Sequence, residues 1–399
     1  MTSGNKLMPR EFDQHKFNDD LLLEQADRDV AARRYPTVFH ALDHLELREY
    51  FQLFDPSAIR AKRRSRIAGF FAICLGCMAL MLAATEHLVD PASDTLPAFV
   101  VKNLPASVVS LLPNVSRSTS LATASSLAAI SSIAIAGMGL LFARNKRQWL
   151  FQRLMTERIR QFHFQTLVFR LPDISASLQD DQARDDFKAK RQEWFEAFKK
   201  RMDGKLDSEF AEIVRDDPQV DAWLHEERGE PTEIKESQHL APLFRAYREL
   251  RIMHQIDYAN CKLVDDQKLF SGSPPRQAAV LRNAGYACII VLVVIHFLIL
   301  IGAVSQALFW TQFRSELSVI VMIVAFTALG VQTLEQGLQP ERETERYQQY
   351  NIAIRAIRER YDNARSQADK IRVMQEMERA AFDEMRNFMM TFSKARFVM

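Results

Sequence analysis

Four stretches of the chain carry no Lys, Arg, Asp or Glu: residues 67–85, 121–143, 284–308 and 317–334. The rest of the chain carries all of the formal charge. A helix needs about 20 mainly apolar residues to cross a bilayer. The first three stretches meet that length. The fourth is more polar, with Thr327, Gln332 and Thr333. It follows an apolar run after a short polar stretch, residues 309–316, which reads as the turn of a hairpin. Core helices of soluble proteins average about 11–12 residues, so four runs near 20 point to a membrane protein. The expected spans are 67–88, 121–143, 284–308 and 317–337.

The charged segments repeat one plan twice. In the first half a lead-in helix, residues 40–54, is interrupted by Asp55-Pro56, and a helix over 145–169 follows the second span. In the second half a lead-in helix over 243–270 stops at Ser271-Gly272-Ser273-Pro274-Pro275, and a final helix runs from Pro340 onward. Gly and Pro at such places are what helix ends need. The expected fold is an all-α integral membrane protein. It has two tandem two-span helical hairpins, four transmembrane helices, and long cytoplasmic helices that pack as a coiled-coil-like bundle. The expected divisions are an N-terminal segment over 1–39, a first unit over 40–170, a helical insert over 171–240 and a second unit over 241–399.

The final helix carries the most regular polar-side pattern. Tyr347, Tyr350, Ile354, Ile357, Tyr361, Ala364, Ala368 and Ile371 alternate at three and four residues, a heptad seam. The register slips after Ile371, where Glu378 falls on an expected seam position. A second stripe takes over: Met377, Ala381, Met385, Phe388 and Phe392. The seam's partner is either the lead-in helix of the same half, which offers Tyr247, Leu250, His254, Ile256 and Tyr258, or a neighbouring subunit. The last stripe, with Lys394 and Arg396, could also lie on the inner membrane surface.

Charge sharpens the orientation. The chain has 52 Lys+Arg and 50 Asp+Glu, a net of +2, which excludes a nucleic-acid binder working through bulk positive charge. The local excess is informative where the total is not. Arg60, Lys62, Arg63, Arg64 and Arg66 precede the first span, and Arg144, Lys146, Arg147 and Arg153 follow the second. Only Lys102 and Arg117 lie between those clusters. The positive-inside bias places both feet of each hairpin, and both termini, on the cytoplasmic side of an inner (plasma) membrane. The first sixty residues are polar and charged, so no signal peptide is expected there. With 12 Gly and 14 Pro, turn-rich β architecture is disfavoured.

Candidate chemistry is sparse. Four cysteines are too few for a disulfide framework. Cys74 and Cys77 stand one turn apart in the first span with no His or charged partner nearby. The acidic pairs Asp180-Asp181, Asp185-Asp186 and Asp216-Asp217 lack the spacing of a calcium loop. There is no phosphate-binding loop, zinc motif or nucleophile elbow, so neither an enzyme nor a bound cofactor is expected. Within the spans, Ala124, Ala128, Ser132 and Ala136 recur every four residues, as do Ala68, Ala72 and Gly76. Small residues at that spacing let helices approach closely. The competing reading has Ser125 and Ser132 lining a water-filled path. His296 is an ionisable group in mid-span and a candidate pore or packing residue.

The helix after the second span reads Trp149-x3-Arg153-x2-Thr156-Glu157-x-Ile159-Arg160, and the lead-in helix of the second half reads Arg251-x3-Gln255-x2-Tyr258. Joined to two-span hairpins, these motifs resemble the SLATT family, the two-transmembrane effector domains associated with SMODS nucleotidyltransferases and SLOG sensors in bacterial conflict systems. The chain resembles a tandem of two such units. The resemblance implies an oligomeric effector in the lipid bilayer, triggered by an upstream nucleotide signal or sensor protein, that opens a pore or perturbs the membrane in antiviral defence. A non-conducting scaffold and a small housekeeping channel or transporter are the alternatives. Locally, Arg153 and Glu157 are four apart and can pair, and Trp149 falls near the expected membrane interface.

Overall fold

The computed structural model describes residues 18–86, 117–217, 220–224, 238–264, 273–305 and 308–395. For residues 117–125, 129, 132–145, 303, 305 and 308–315 it describes the helix but not the side chains. Every regular element among the described residues is helical. In chain order these are α1 (Gln25–Arg34), α2 (Phe39–Leu42), α3 (Leu45–Glu86), α4 (Arg117–Phe169), α5 (Leu171–Ser177), α6 (Asp181–Val214), α7 (Ala241–Tyr247), α8 (His254–Leu263), α9 (Pro274–Ser305), α10 (Leu308–Leu338), α11 (Pro340–Asn363) and α12 (Gln367–Lys394). A 3₁₀ turn covers Asp19–Leu21 and another covers Gln238–Leu240. One π-helical turn, Arg248–Met253, joins α7 to α8.

Several expected boundaries move. The Asp55-Pro56 interruption does not form: α3 runs through Pro56 without a break. Proline removes one i→i−4 bond. The carbonyl it frees belongs to Gln52, which like Pro56 is exposed, so the freed acceptor lies on the solvent side of the helix. The polar run 309–316 is not a turn but the start of α10. It contains no Gly or Pro to end a helix. The final helix is two helices. α11 stops at Asn363, and Ser366 caps α12 through a reciprocal pair, Asp369 N donating to Ser366 Oγ at 3.1 Å and Ser366 Oγ donating to Asp369 Oδ2 at 2.8 Å. That S-x-x-D box is a helix start, and it accounts for the slipped register. The lead-in helix of the second half leaves helical geometry at Val264, and residues 265–272 lie outside the described residues.

The chain divides into two compact units. The core unit gathers Met1–Arg60, Arg147–Asp266 and Glu341–Lys394. The span unit gathers Ala61–Lys146, Gln267–Pro340 and Ala395–Met399.

In the core unit α4 is the centre. From Leu154 to Val168 every residue but Glu157 is buried, polar ones included. A helix covered on all sides needs neighbours on all sides. Phe162 stacks on Phe198 at 4.8 Å and tilts against Phe195 at 5.5 Å, both from α6. Phe164 meets Tyr247 of α7 edge-on at 6.0 Å. On the α12 side, the Arg158 guanidinium lies 4.7 Å from the Phe382 ring. The helical insert is therefore part of this core. Its Asp180 caps α6 by accepting from Ala183 N at 3.1 Å, Asp185 pairs with Lys188, and Asp216 with Arg386. The acidic pairs have ordinary structural partners.

Among the described residues three helical stretches are long and apolar enough to cross a membrane, within Phe39–Thr85, Pro274–Gly302 and Glu316–Asn363. Residues 121–143 form part of α4, but most of their side chains lie outside the described residues. α9 and α10 pack on each other. Where α3 meets α10, Cys77 Sγ lies 3.6 Å from Phe326 O, and a Cβ added at Gly330 would come within 2.4 Å of that sulfur. Glycine is needed at 330 because the neighbouring helix occupies the space a methyl would take.

Candidate functional site

The seven motif residues of the lead-in and lead-out helices all lie in the core unit. Arg153, Glu157 and Arg160 occupy successive turns, which aligns them on one face. Arg153 NH2 sits 2.5 Å from Glu157 Oε1, and Arg160 NH1 donates to both Glu157 oxygens at 2.9 and 3.0 Å. Burial acts to raise the Glu157 carboxyl, but Arg153 and Arg160 outweigh it and hold the pKa at about 2. Arg160 continues the chain to the N-terminal turn. It donates to Asn18 Oδ1 at 2.6 Å, and its Nε is 2.9 Å from Asp20 Oδ2.

The second motif begins in the π turn. Arg251 is 2% exposed and forms a two-pronged bond with Glu378 of α12: Nε to Oε1 at 2.9 Å and NH2 to Oε2 at 2.8 Å. Tyr247 OH donates to the same Oε1 at 2.7 Å. The Arg251 guanidinium lies 4.4 Å from the centroid of Phe164. Burial pulls the arginine's pKa down, yet Glu378 and Tyr247 more than compensate and raise it. Burial, then Glu378, raises the Tyr247 phenol far above its usual value. Single-turn π segments recur at functional sites.

Gln255 and Tyr258, on α8, face α11. Tyr350 OH donates to Gln255 Oε1 at 3.1 Å, and Tyr258 and Tyr347 share a hydroxyl contact at 3.2 Å. Arg346 stands 4.4 Å over Tyr347 and pairs with Glu384. Burial raises the Glu384 carboxyl, opposed first by Arg346, while Glu157 across the cluster adds to the rise. Arg251 of the second motif in turn helps to hold the Glu157 carboxyl down. Trp149 is buried in the same unit, edge-on to Phe388 at 5.9 Å and to Phe392 at 5.4 Å. It stands in an aromatic cluster with the second stripe of α12, where its large apolar ring is worth most.

The candidate pore residues are placed elsewhere. Ser125 and Ser132 lie in α4, and their side chains are outside the described residues. His296 lies in α9, exposed, with Nδ1 bonded to Leu292 O at 2.7 Å. That bond fixes the proton on Nδ1 and meets the cost of a polar ring in an apolar helix locally.

Sequence reasoning passed over other members of the polar interior. Arg158, almost fully buried, pairs with Glu209 of α6 and donates to Gln161 at 2.8 Å and to Asp221 O at 2.8 Å. Burial, then Arg191, lowers His44 to about 2 and His163 to about 3, so both are neutral. Among the described residues no cluster of three or more His, Cys, Asp or Glu is arranged to hold a metal ion. No family model matches the chain, and comparisons with curated proteins and with solved structures return no match.

Proposed function

We propose that this chain is a membrane-embedded effector of a bacterial conflict system. In this reading it assembles with further copies of itself in the inner membrane. It opens a pore there, or perturbs the bilayer, when an upstream nucleotide signal or sensor protein triggers it. The observation that carries the reading is convergence. The motif residues on α4 and the π turn, far apart in the chain, form two neighbouring polar clusters, Arg153–Glu157–Arg160 and Arg251–Glu378, and the Arg251 charge reaches Glu157. The clusters are built on α4, which also contains the apolar run 121–143, and on the helix that precedes α9. Buried charge pairs have discrete arrangements, so a signal that shifts one partner biases the set.

The same reading takes 121–143 as a fourth span and the Lys/Arg clusters as the cytoplasmic feet, with both termini inside. It takes the α8–α11 contacts, Tyr258 with Tyr347 and Gln255 with Tyr350, as the start of a coiled-coil-like bundle.

The test is induction in bacterial cells with the trigger supplied by co-expressed candidate sensors. Dye entry and loss of viability are expected, and Glu157→Gln should weaken both. A chain that reaches the membrane with every trigger supplied and leaves permeability unchanged overturns the pore and supports a non-conducting scaffold.

A further inference from the structure

The 3₁₀ turn Asp19–Leu21 and its flanks touch three helices at once. Asn18 Nδ2 donates to Asp55 Oδ2 of α3 at 3.3 Å. Arg160 of α4 donates to Asn18 Oδ1 at 2.6 Å and lies 2.9 Å from Asp20 Oδ2. His254 Nε2, at the start of α8, is 2.9 Å from Asp19 Oδ1. Two features separate this turn from an ordinary surface one. The Asp20 carboxylate is buried, and outside its ion pair neither oxygen has a hydrogen-bond partner among the described residues. Leu22 closes the turn at φ 54, ψ 45, a left-handed conformation that a side chain with a Cβ disfavours. Burial of Leu21 and Leu22, each 2% exposed, holds it there. The turn is therefore kept in place by its tertiary contacts and not by local preference.

Each helix it touches leads to an apolar segment. α3 and α4 contain 67–85 and 121–143, and α8 precedes α9 in the chain. We infer that residues 18–22 form a releasable strap that ties together the roots of these three helices, and that its release loosens them. The strap needs no pore to exist. Its link to permeability rests on the function proposed above.

Hydrogen exchange on the full-length protein in detergent or lipid discs tests it. Asp20→Asn removes the charge that holds Arg160, and Asn18→Ala removes, more gently, the neutral contacts to Asp55 of α3 and Arg160 of α4. Peptides covering 45–60, 149–165 and 254–263 should exchange about 10–100-fold faster in Asp20→Asn. Asn18→Ala should shift the same peptides in the same direction by less, with α9 and α10 unchanged in both. A change confined to 18–24, or none, overturns the strap. If Asp20→Asn loses protection everywhere, Asn18→Ala decides. Dye entry in cells is the second arm. Faster exchange with unchanged dye entry upholds the strap and counts against the pore alone.

Discussion

Two arginines three residues apart on the π turn make nearly the same bond in different surroundings. Arg248 grips Asp362 of α11 with Nε at 2.6 Å and NH2 at 2.8 Å. Arg251 grips Glu378 of α12 at 2.9 and 2.8 Å. The side chains of the first pair are 35% and 39% exposed, those of the second 2% and 0%. Geometry does not distinguish them, so burial must. A solvated pair exchanges water for a partner at little net gain, about 0–1 kcal/mol. A buried pair is not itself a large stabiliser, but losing one partner strands a charge in the core. The first pair is an ornament of the surface, and the second is a commitment of the fold.

Breaking the buried pair on one side should have the largest effect. Arg251→Met leaves Glu378 with only Tyr247 and should cost about 3–5 kcal/mol, read as a lower melting temperature of the full-length protein in detergent. Arg251→Met combined with Glu378→Leu should recover most of that loss, because no charge is then stranded. A double variant as unstable as the single one would show that the charges themselves, and not their pairing, hold α7–α8 to α12.

Acid probes the same interior from another side. His44 and His163 are neutral in the folded chain, with pKa values lowered to about 2 and about 3 by burial first and Arg191 next. Arg48 also faces both, and Asp43 faces His163 with the opposite sign. The folded pKa lies below the unfolded value near 6.5, so the unfolded chain takes up protons first as pH falls. Stability is full above about pH 6.5 and declines below it. Between pH 7 and 5 the two histidines together should remove about 4 kcal/mol. Glu157 adds its own loss only below its ordinary carboxylate range. His163→Gln should remove about half of the slope between pH 7 and 5. A melting temperature flat across that interval would mean the imidazoles are not held neutral.

How much of this was legible in the chain follows from what each signal reports. Apolar runs report helices directly, and residues 67–85, 284–305 and 317–334 lie in helices. The partner of the α11 seam was among those expected: Tyr347 and Tyr350 meet Tyr258 and Gln255 of the same half. Glu378 was visible as a charge on a seam position, but its partner was not, because a π turn sets Arg251's direction and no local pattern announces that turn. The α11–α12 break was readable in Ser366 and Asp369 and was masked by the continuing heptad. Pro56 was over-read, since its cost depends on whether solvent reaches Gln52. Asp20 had no signal at all: its role comes from Arg160, which lies far along the chain.

A region without charges shows the comparison's other limit. At Gly330 no ion pair is at stake, only the volume taken by Cys77 Sγ. Gly330→Ala should cost about 1–3 kcal/mol by overpacking, and adding Cys77→Ala should restore most of it. If the second change brings no recovery, the two helices are not in contact there. Recovery would rank sterics below the buried charge pair and above the exposed one.

The exposed pair should matter least. The hydrogen bond to Asp362 is the main cause of the raised Arg248 pKa, and burial, the next cause, opposes it. The same bond is the main cause of the lowered Asp362 value. Both groups are over a third exposed, or close to it, so solvent screening discounts these shifts. Arg248→Ala should therefore change stability by less than about 1 kcal/mol, and added salt should erase the difference. The contrast with Arg251→Met is then a measure of burial at matched geometry on one turn of helix. An Arg248→Ala variant as damaged as Arg251→Met would place the importance of both in the two-pronged geometry, and burial would lose its explanatory part.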